Sequence, residues 1–150
     1  MTSTDKRPAP PMRSDFVIFR PLQTRWADND IYGHMNNVVH YALFDTAINA
    51  WLIEAGLLDP AGGTTIGLVV ETRCRYHGEM AFPDRVEAGL RVARLGTSSV
   101  TYAIGLFRND EAQATADGDF IHVYVDPATR RPQALPDHWR KALCGLILPQ

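Results

Sequence analysis

The chain has 150 residues, 45% of them hydrophobic, and a formal net charge of −2, which suits one domain built around one core. Its basic residues are scattered, so it lacks the electrostatic footprint of a nucleic-acid binder. No apolar run approaches the roughly 20 residues with which a helix crosses a bilayer. Cys74 and Cys144 fit no Cys-x-x-Cys spacing for metal or redox chemistry, and the reading is of reduced, partly buried thiols.

Residues 1–11 have no apolar core of the kind a secretory signal needs, and a cytoplasmic protein is expected. Pro8, Pro10 and Pro11 among small and charged residues predict a disordered tail over 1–13, followed by a single domain over 14–150. A first strand is expected over about 15–25, with Pro21 marking an edge or a bulge.

The segment Arg25-Trp26-Ala27-Asp28-Asn29-Asp30-Ile31-Tyr32-Gly33-His34-Met35-Asn36-Asn37 comes next and holds most of the chain's chemical information. It places two carboxylates, a glycine, a histidine and two asparagines directly before an apolar helix. The N–H groups of a first helical turn have no intrahelical partner, and the helix dipole favours negative charge at that end. A carboxylate base beside such donors is what hydrolysis of an ester-like bond requires, the base activating water or attacking directly while the N–H groups hold the oxyanion. Asp30 is the candidate base or nucleophile. Asp28 either shares its face, if the segment stays extended, or orders the loop. Gly33 permits a positive φ or a close backbone approach. His34 is an acid or, as preferred here, a hydrogen-bonding loop residue. Asn36 is the candidate N-cap, which leaves the N–H of Asn37 pointing where a carbonyl oxygen could bind.

Other readings of the segment fare worse. Asp-x-Asp-x-x-Gly also opens a calcium loop, but the twelfth position, where a bidentate Glu is needed, holds Val39. A transition-metal site from Asp28, Asp30, His34 and His40 has no supporting His or Cys spacing. Gly-x-Ser-x-Gly and glycine-rich phosphate loops are absent from the sequence. No metal and no cofactor are expected.

Val38, Tyr41, Phe44, Ile48, Trp51, Leu52 and Ala55 predict a helix over about 37–55, stopped by Gly56. Its opposite face is also largely apolar, which predicts a helix wrapped by other structure. Asp45 either faces the pocket or meets a strand residue. Beyond the Pro60-Ala61-Gly62-Gly63 loop the period becomes two. Sets at Leu68–Tyr76, Val86–Val92, Val100–Leu106 and Ile121–Val125 predict strands, with Gly96 and Asn109-Asp110 as tight turns, and hence an antiparallel meander. A last helix is expected over about 137–146. One long helix with about five antiparallel strands gives an α+β architecture, a sheet curled around a helix.

The motif Asp28-x-Asp30-x-x-Gly33-His34-x-Asn36-Asn37-x-x-x-Tyr41 resembles the active-site segment of hot-dog-fold acyl-CoA thioesterases of the 4-hydroxybenzoyl-CoA thioesterase type. The likeness runs from about residue 14 to 145 and takes in Phe44-Asp45, Gly96-Thr97-Ser98-Ser99 and Val123-Tyr124-Val125-Asp126. It implies a hot-dog fold, homodimers or homotetramers with active sites between subunits, an acyl-CoA substrate and no metal or organic cofactor. The family's catalytic aspartate matches Asp30, and its carbonyl-binding N–H falls on Asn37. The family often has a glutamate where Asp45 stands and a tyrosine where His40 stands. Arg73, Arg75, Arg130 and Arg131 are candidate phosphate contacts, and Trp51, Tyr76, Phe82 and Tyr102 candidate acyl contacts. The alternatives are a non-catalytic acyl-CoA-binding hot-dog protein and a thioesterase acting on acyl groups of a carrier protein. Enoyl-thioester hydration would need a Gly-Asp-x-Asn-Pro-x-x-His-like segment, which the chain lacks.

Overall fold

A computed structural model of the chain describes residues 7–149. Five strands, β1 (Ile18–Leu22), β2 (Ile66–Tyr76), β3 (Val86–Leu95), β4 (Ser99–Arg108) and β5 (Ala116–Val125), accompany helices α1 (Asn37–Glu54) and α2 (Asp137–Cys144). The strands form one antiparallel sheet in the order β1-β3-β4-β5-β2.

Only part of this order is the expected meander. β3, β4 and β5 follow one another through tight turns, and Asn109 takes a positive φ of 54° in the second of them. β2 instead lies at the far edge, against β5, and β1 takes the place beside β3. The chain crosses from one edge of the sheet to the other through α1. Alternation of side chains fixes which face a strand buries but not its neighbour, so periodicity could not reveal this crossing.

α1 begins at Asn36, whose side chain accepts from Val38 N–H at 3.0 Å, as an N-cap should. Phe44, Ala47, Ile48 and Leu52 are buried against the sheet. The Phe44 ring meets Phe120 edge-on at 6.2 Å. It also passes over Gly118, where an added Cβ would lie 2.8 Å from the ring and 2.1 Å from the Arg73 carbonyl oxygen. The opposite side of α1 is not wrapped within one protomer. Val38 is 65% exposed and Ile53 46%, because a single sheet covers only one side of the helix.

β1 is shorter than expected, since 3₁₀ turns at Arg13–Asp15 and Trp26–Asp28 occupy its two ends. Pro21 sits in it as an edge-strand proline opposite Glu87. The tail expected over 1–13 falls outside the described residues for 1–6. Its later part is tied down: Ala114 N–H donates to the Pro11 carbonyl, Arg13 N–H to that of Ala112, and Met12 bridges to Gln113. α2 closes one end of the core through Trp139 and Leu143. Cys74 is half-buried and Cys144 exposed, and both are free thiols. No helix among the described residues is long and apolar enough to cross a membrane.

Candidate active site

The polar segment between β1 and α1 folds as two nested pieces. The outer piece is built on Asp28. Its carboxylate, 2% exposed, accepts Arg25 N–H at 2.8 Å, Arg25 Nε at 3.1 Å and Arg25 Nη2 at 2.8 Å. The Asp28 carbonyl accepts Asn36 N–H at 2.9 Å, Asn29 bridges to Met35, and Met35 N–H donates to the Met80 carbonyl at 2.6 Å. These bonds fasten the start of α1 to the end of β1 and to the segment before β3.

The inner piece is a tight turn over residues 30–34. Asp30 N–H donates to the His34 carbonyl at 2.9 Å, and Gly33 N–H donates to the Asp30 carbonyl at 3.1 Å. Gly33 has φ +83°, and a Cβ added there would meet nothing within 4 Å. The turn therefore needs the glycine for its left-handed backbone rather than for space. One oxygen of Asp30, Oδ1, accepts Tyr32 N–H at 2.8 Å. The other, Oδ2, lies 3.8 Å from His34 Nδ1.

Asp30, His34 and Asn37 line one cavity of about 260 Å³, together with His40, Tyr76 and Met80. Among the described residues the Asn37 N–H has no acceptor. Tyr76 reaches from the end of β2 and donates its hydroxyl to the Asn37 carbonyl at 3.1 Å, which fixes the first turn of the helix from outside. Its ring meets His40 edge-on at 4.8 Å. Burial pushes the Tyr76 hydroxyl pKa up and the His40 pKa down, so both side chains stand neutral at neutral pH. A carboxylate and a free N–H in one partly enclosed space can activate water and hold an oxyanion.

Of the residues singled out by sequence, Asp30, His34 and Asn37 come together in this cavity. Gly33 and Asn36 do not line it, and act through the turn and the helix cap that carry its lining residues. Asp28 does not line it, and faces another space bounded by Leu22, Val39 and Leu43. Asp45 is exposed, bonded by the Asn49 amide at 3.1 Å, and away from the cavity. His40 and Met80 were not assigned to the site from the sequence. His40 stands three residues after Asn37, on the same side of the helix, which is the signal that could have found it. Met80 comes from a loop distant in sequence and left none.

The remaining candidates divide similarly. Tyr76 lines the cavity, Tyr102 is wholly buried in the core, and Phe82 belongs to a larger space of about 490 Å³ between the end of β1 and the start of β3. That larger space holds neither Asp30 nor Asn37, and Asp84 in it is bonded to Ala81 N–H and the Asn109 amide. Arg75 is paired with Asp117 at 2.6 Å. Arg73 lies 3.7 Å from Glu71 in an exposed pair. Among the described residues, no group of three or more His, Cys, Asp or Glu side chains is arranged to hold a metal ion.

A family model described as the thioesterase-like superfamily matches residues 24–143, a span that includes the whole cavity-forming loop, α1 and the sheet from β2 on. The fold is similar to that of the PA5185 protein from Pseudomonas aeruginosa strain PAO1, with a TM-score of 0.89 and 53% identity, covering 93% of this chain and 97% of that one. It is also similar in fold to Slr0204, a 1,4-dihydroxy-2-naphthoyl-CoA thioesterase from Synechocystis, with a TM-score of 0.78 and 20% identity over 87% of this chain and 98% of that one. A thioesterase from Thermus thermophilus, solved with coenzyme A and zinc, gives a TM-score of 0.73 and 24% identity over 87% and 95% of the two chains. The five-stranded antiparallel sheet carrying one long helix is the hot-dog arrangement, and the chain belongs to the thioesterase-like superfamily.

Proposed function

We propose that this thioester hydrolase cleaves acyl-CoA esters in the cytoplasm, with Asp30 as general base or nucleophile and the Asn37 N–H as the oxyanion donor. One observation carries the reading: the Asp30 carboxylate and the acceptor-free Asn37 N–H face the same cavity. In the general-base course, Asp30 takes a proton from water as the water oxygen attacks the thioester carbon. The carbonyl oxygen gains the charge and is held by Asn37 N–H. Collapse of the tetrahedral adduct breaks the C–S bond and releases the CoA thiolate, which takes up a proton, and the acid. In the nucleophilic course, an Asp30 oxygen attacks the thioester carbon, the C–S bond breaks to expel the CoA thiolate, and water then cleaves the resulting mixed anhydride to the acid and free Asp30. Tyr32 N–H holds one oxygen of the Asp30 carboxylate in place in either course. The likeness of the loop motif supports a site of the 4-hydroxybenzoyl-CoA thioesterase type, and no metal or cofactor is needed for these steps.

The working form is a homodimer formed through β2. This strand is an edge, and residues 67–73 are exposed on both faces, Leu68, Val69 and Val70 among them. An edge of that length and composition invites pairing. A two-fold antiparallel pairing about Thr72 sets Glu71 opposite the partner subunit's Arg73, and Thr72 opposite the partner's Thr72. Both are favourable cross-strand pairs. A hydrolysis screen over short, long and aromatic acyl-CoA esters, and over the same acyl groups on a carrier protein, tests the reading through thiol release. Turnover of CoA esters supports it. Tight acyl-CoA binding with no thiol release would replace it with a binding protein.

A further inference from the structure

A second enclosed space, of about 130 Å³, lies at the other end of α1, beside the start of β2. Leu52, Leu58, Ile66 and Trp139 give it apolar walls, and His122 and Tyr124 from β5 supply polar groups. His122 is 4% exposed, and its Nε2 has no hydrogen-bond partner among the described residues.

The protons of this cluster can be placed by counting. The fully buried Tyr102 hydroxyl has one partner, the Tyr124 hydroxyl at 2.7 Å. Tyr102 therefore donates to Tyr124. The Tyr124 proton is then free for His122 Nδ1, at 3.3 Å. With Nδ1 accepting, the imidazole hydrogen sits on Nε2. Burial pushes the His122 pKa down and holds the Tyr124 hydroxyl up at about 12, so the chain of three groups is neutral. The result is an unsatisfied N–H donor among apolar walls. Such a donor is satisfied by an acceptor atom of a ligand, and a pocket built that way discriminates against the analogue that lacks the atom.

Within one protomer this space is far from the reaction. Asn49, on its rim, stands twelve residues beyond Asn37, about 18 Å along the helix. Across the β2 pairing proposed above it is close. Gly78 lines the Asp30 cavity and Ile66 the His122 cavity. Tyr76, which ends β2, also lines the Asp30 cavity, and pairing about Thr72 brings it opposite the partner subunit's Leu68, two residues from Ile66.

We propose that in the dimer the His122 cavity of one protomer receives the distal end of the acyl group whose thioester lies at Asp30 of the other. His122 Nε2 there selects acyl groups that carry a neutral acceptor oxygen, a hydroxyl, keto or ether oxygen, at that end. This rests on the proposed thioester hydrolysis, and His122 is a specificity residue rather than a catalytic one.

The experiment compares straight-chain acyl-CoA esters with their ω-hydroxy counterparts across chain lengths, by kcat/KM, in the wild type and in His122→Phe. At the preferred length the wild type should favour the ω-hydroxy ester by at least about tenfold. In His122→Phe this ratio should fall to near one or invert. A ratio that is the same in both proteins, or a wild type that prefers the plain ester at every length, overturns the inference. A second measurement does not depend on turnover or on the folding of the His122 variant. In Asp30→Asn, ¹⁵N spectra should show the His122 proton on Nε2, and the Nε2 signal should move on adding an ω-hydroxyacyl-CoA but not the plain ester. A proton on Nδ1, or an Nε2 signal indifferent to both ligands, overturns the inference. Movement of that signal in a protein that hydrolyses no ester would sustain the pocket and refute the hydrolase reading.

Discussion

Asp28 and Asp30 stand two residues apart and face different cavities. The Asp28 carboxylate is consumed by three bonds from Arg25, whereas Asp30 has one oxygen bonded by Tyr32 N–H, the other 3.8 Å from His34 Nδ1, and lines the space that Asn37 also lines. The 3₁₀ turn over Trp26–Asp28 causes the separation. Had the strand continued through 30, both carboxylates would have shared one face.

Asp28→Asn should therefore act on the fold. The amide leaves charge-assisted bonds to Arg25 unmade, at a cost of about 1–3 kcal/mol. Thermal unfolding should show a lower Tm. The kcat measured on the folded fraction should fall much less than in Asp30→Asn. A collapse of kcat with unchanged Tm would assign the chemistry to the wrong member of the pair.

The proposed dimer makes a charge-swap prediction. Glu71→Arg alone or Arg73→Glu alone sets like charges opposite each other across the paired β2 edges. Either should weaken the dimer in sedimentation, and the double swap should restore it. A monomer at micromolar concentration with full wild-type activity would contradict both the assembly and the shared site.

Stability should decline on mild acidification. His40 and His122 have pKa values depressed by burial, so in each the unfolded state takes up a proton at a pH where the folded state does not. Their contribution is complete above the unfolded value of about 6.5 and is lost as pH falls below it toward the folded pKa. Tm should drop between neutral pH and about pH 5, and the slope should be shallower in His122→Phe. An equal slope in that variant would mean that His122 takes up its proton at the same pH in the folded and the unfolded protein.

Chelation should leave turnover intact. Among the described residues no group of three or more His, Cys, Asp or Glu side chains is arranged to hold a metal ion, and in the proposed mechanism the Asn37 N–H gives the polarisation that a metal would otherwise give. Dialysis against EDTA followed by the hydrolysis assay checks this. Loss of activity that a divalent ion restores would turn the pair into part of a metal site.

What the sequence made legible was local. The limits of α1, its cap at Asn36, the positive φ of Gly33 and the turn at Asn109 all follow from neighbouring residues. The partition of Asp28 from Asp30 depended on whether a strand or a 3₁₀ turn preceded the loop, and Trp26-Ala27-Asp28 carries no strong signal for either. The place of β2 was not legible because pairing with β5 joins residues some fifty apart, and alternation is silent on partners. β5 also begins earlier than its apolar set. Asp117 and Asp119 stand on the sheet's outer face, and Arg75 from β2 answers them there. The apolar outer side of α1 was read as a sign of enclosure, and within one chain it remains exposed, as does the edge of β2. The proposed second protomer is what would cover them.

The central claim is that Asp30 performs the chemistry at the Asn37 helix end. The most direct measurement is kcat of Asp30→Asn on a CoA ester that the wild type turns over, beside the affinity of the same variant for a non-hydrolysable acyl-CoA analogue. The amide keeps the size of the side chain but can neither take a proton from water nor form an anhydride. The account predicts a loss in kcat of at least about 10²-fold, with affinity nearly unchanged because the lost interaction belongs to the transition state. A folded Asp30→Asn protein with near-wild-type kcat would contradict it.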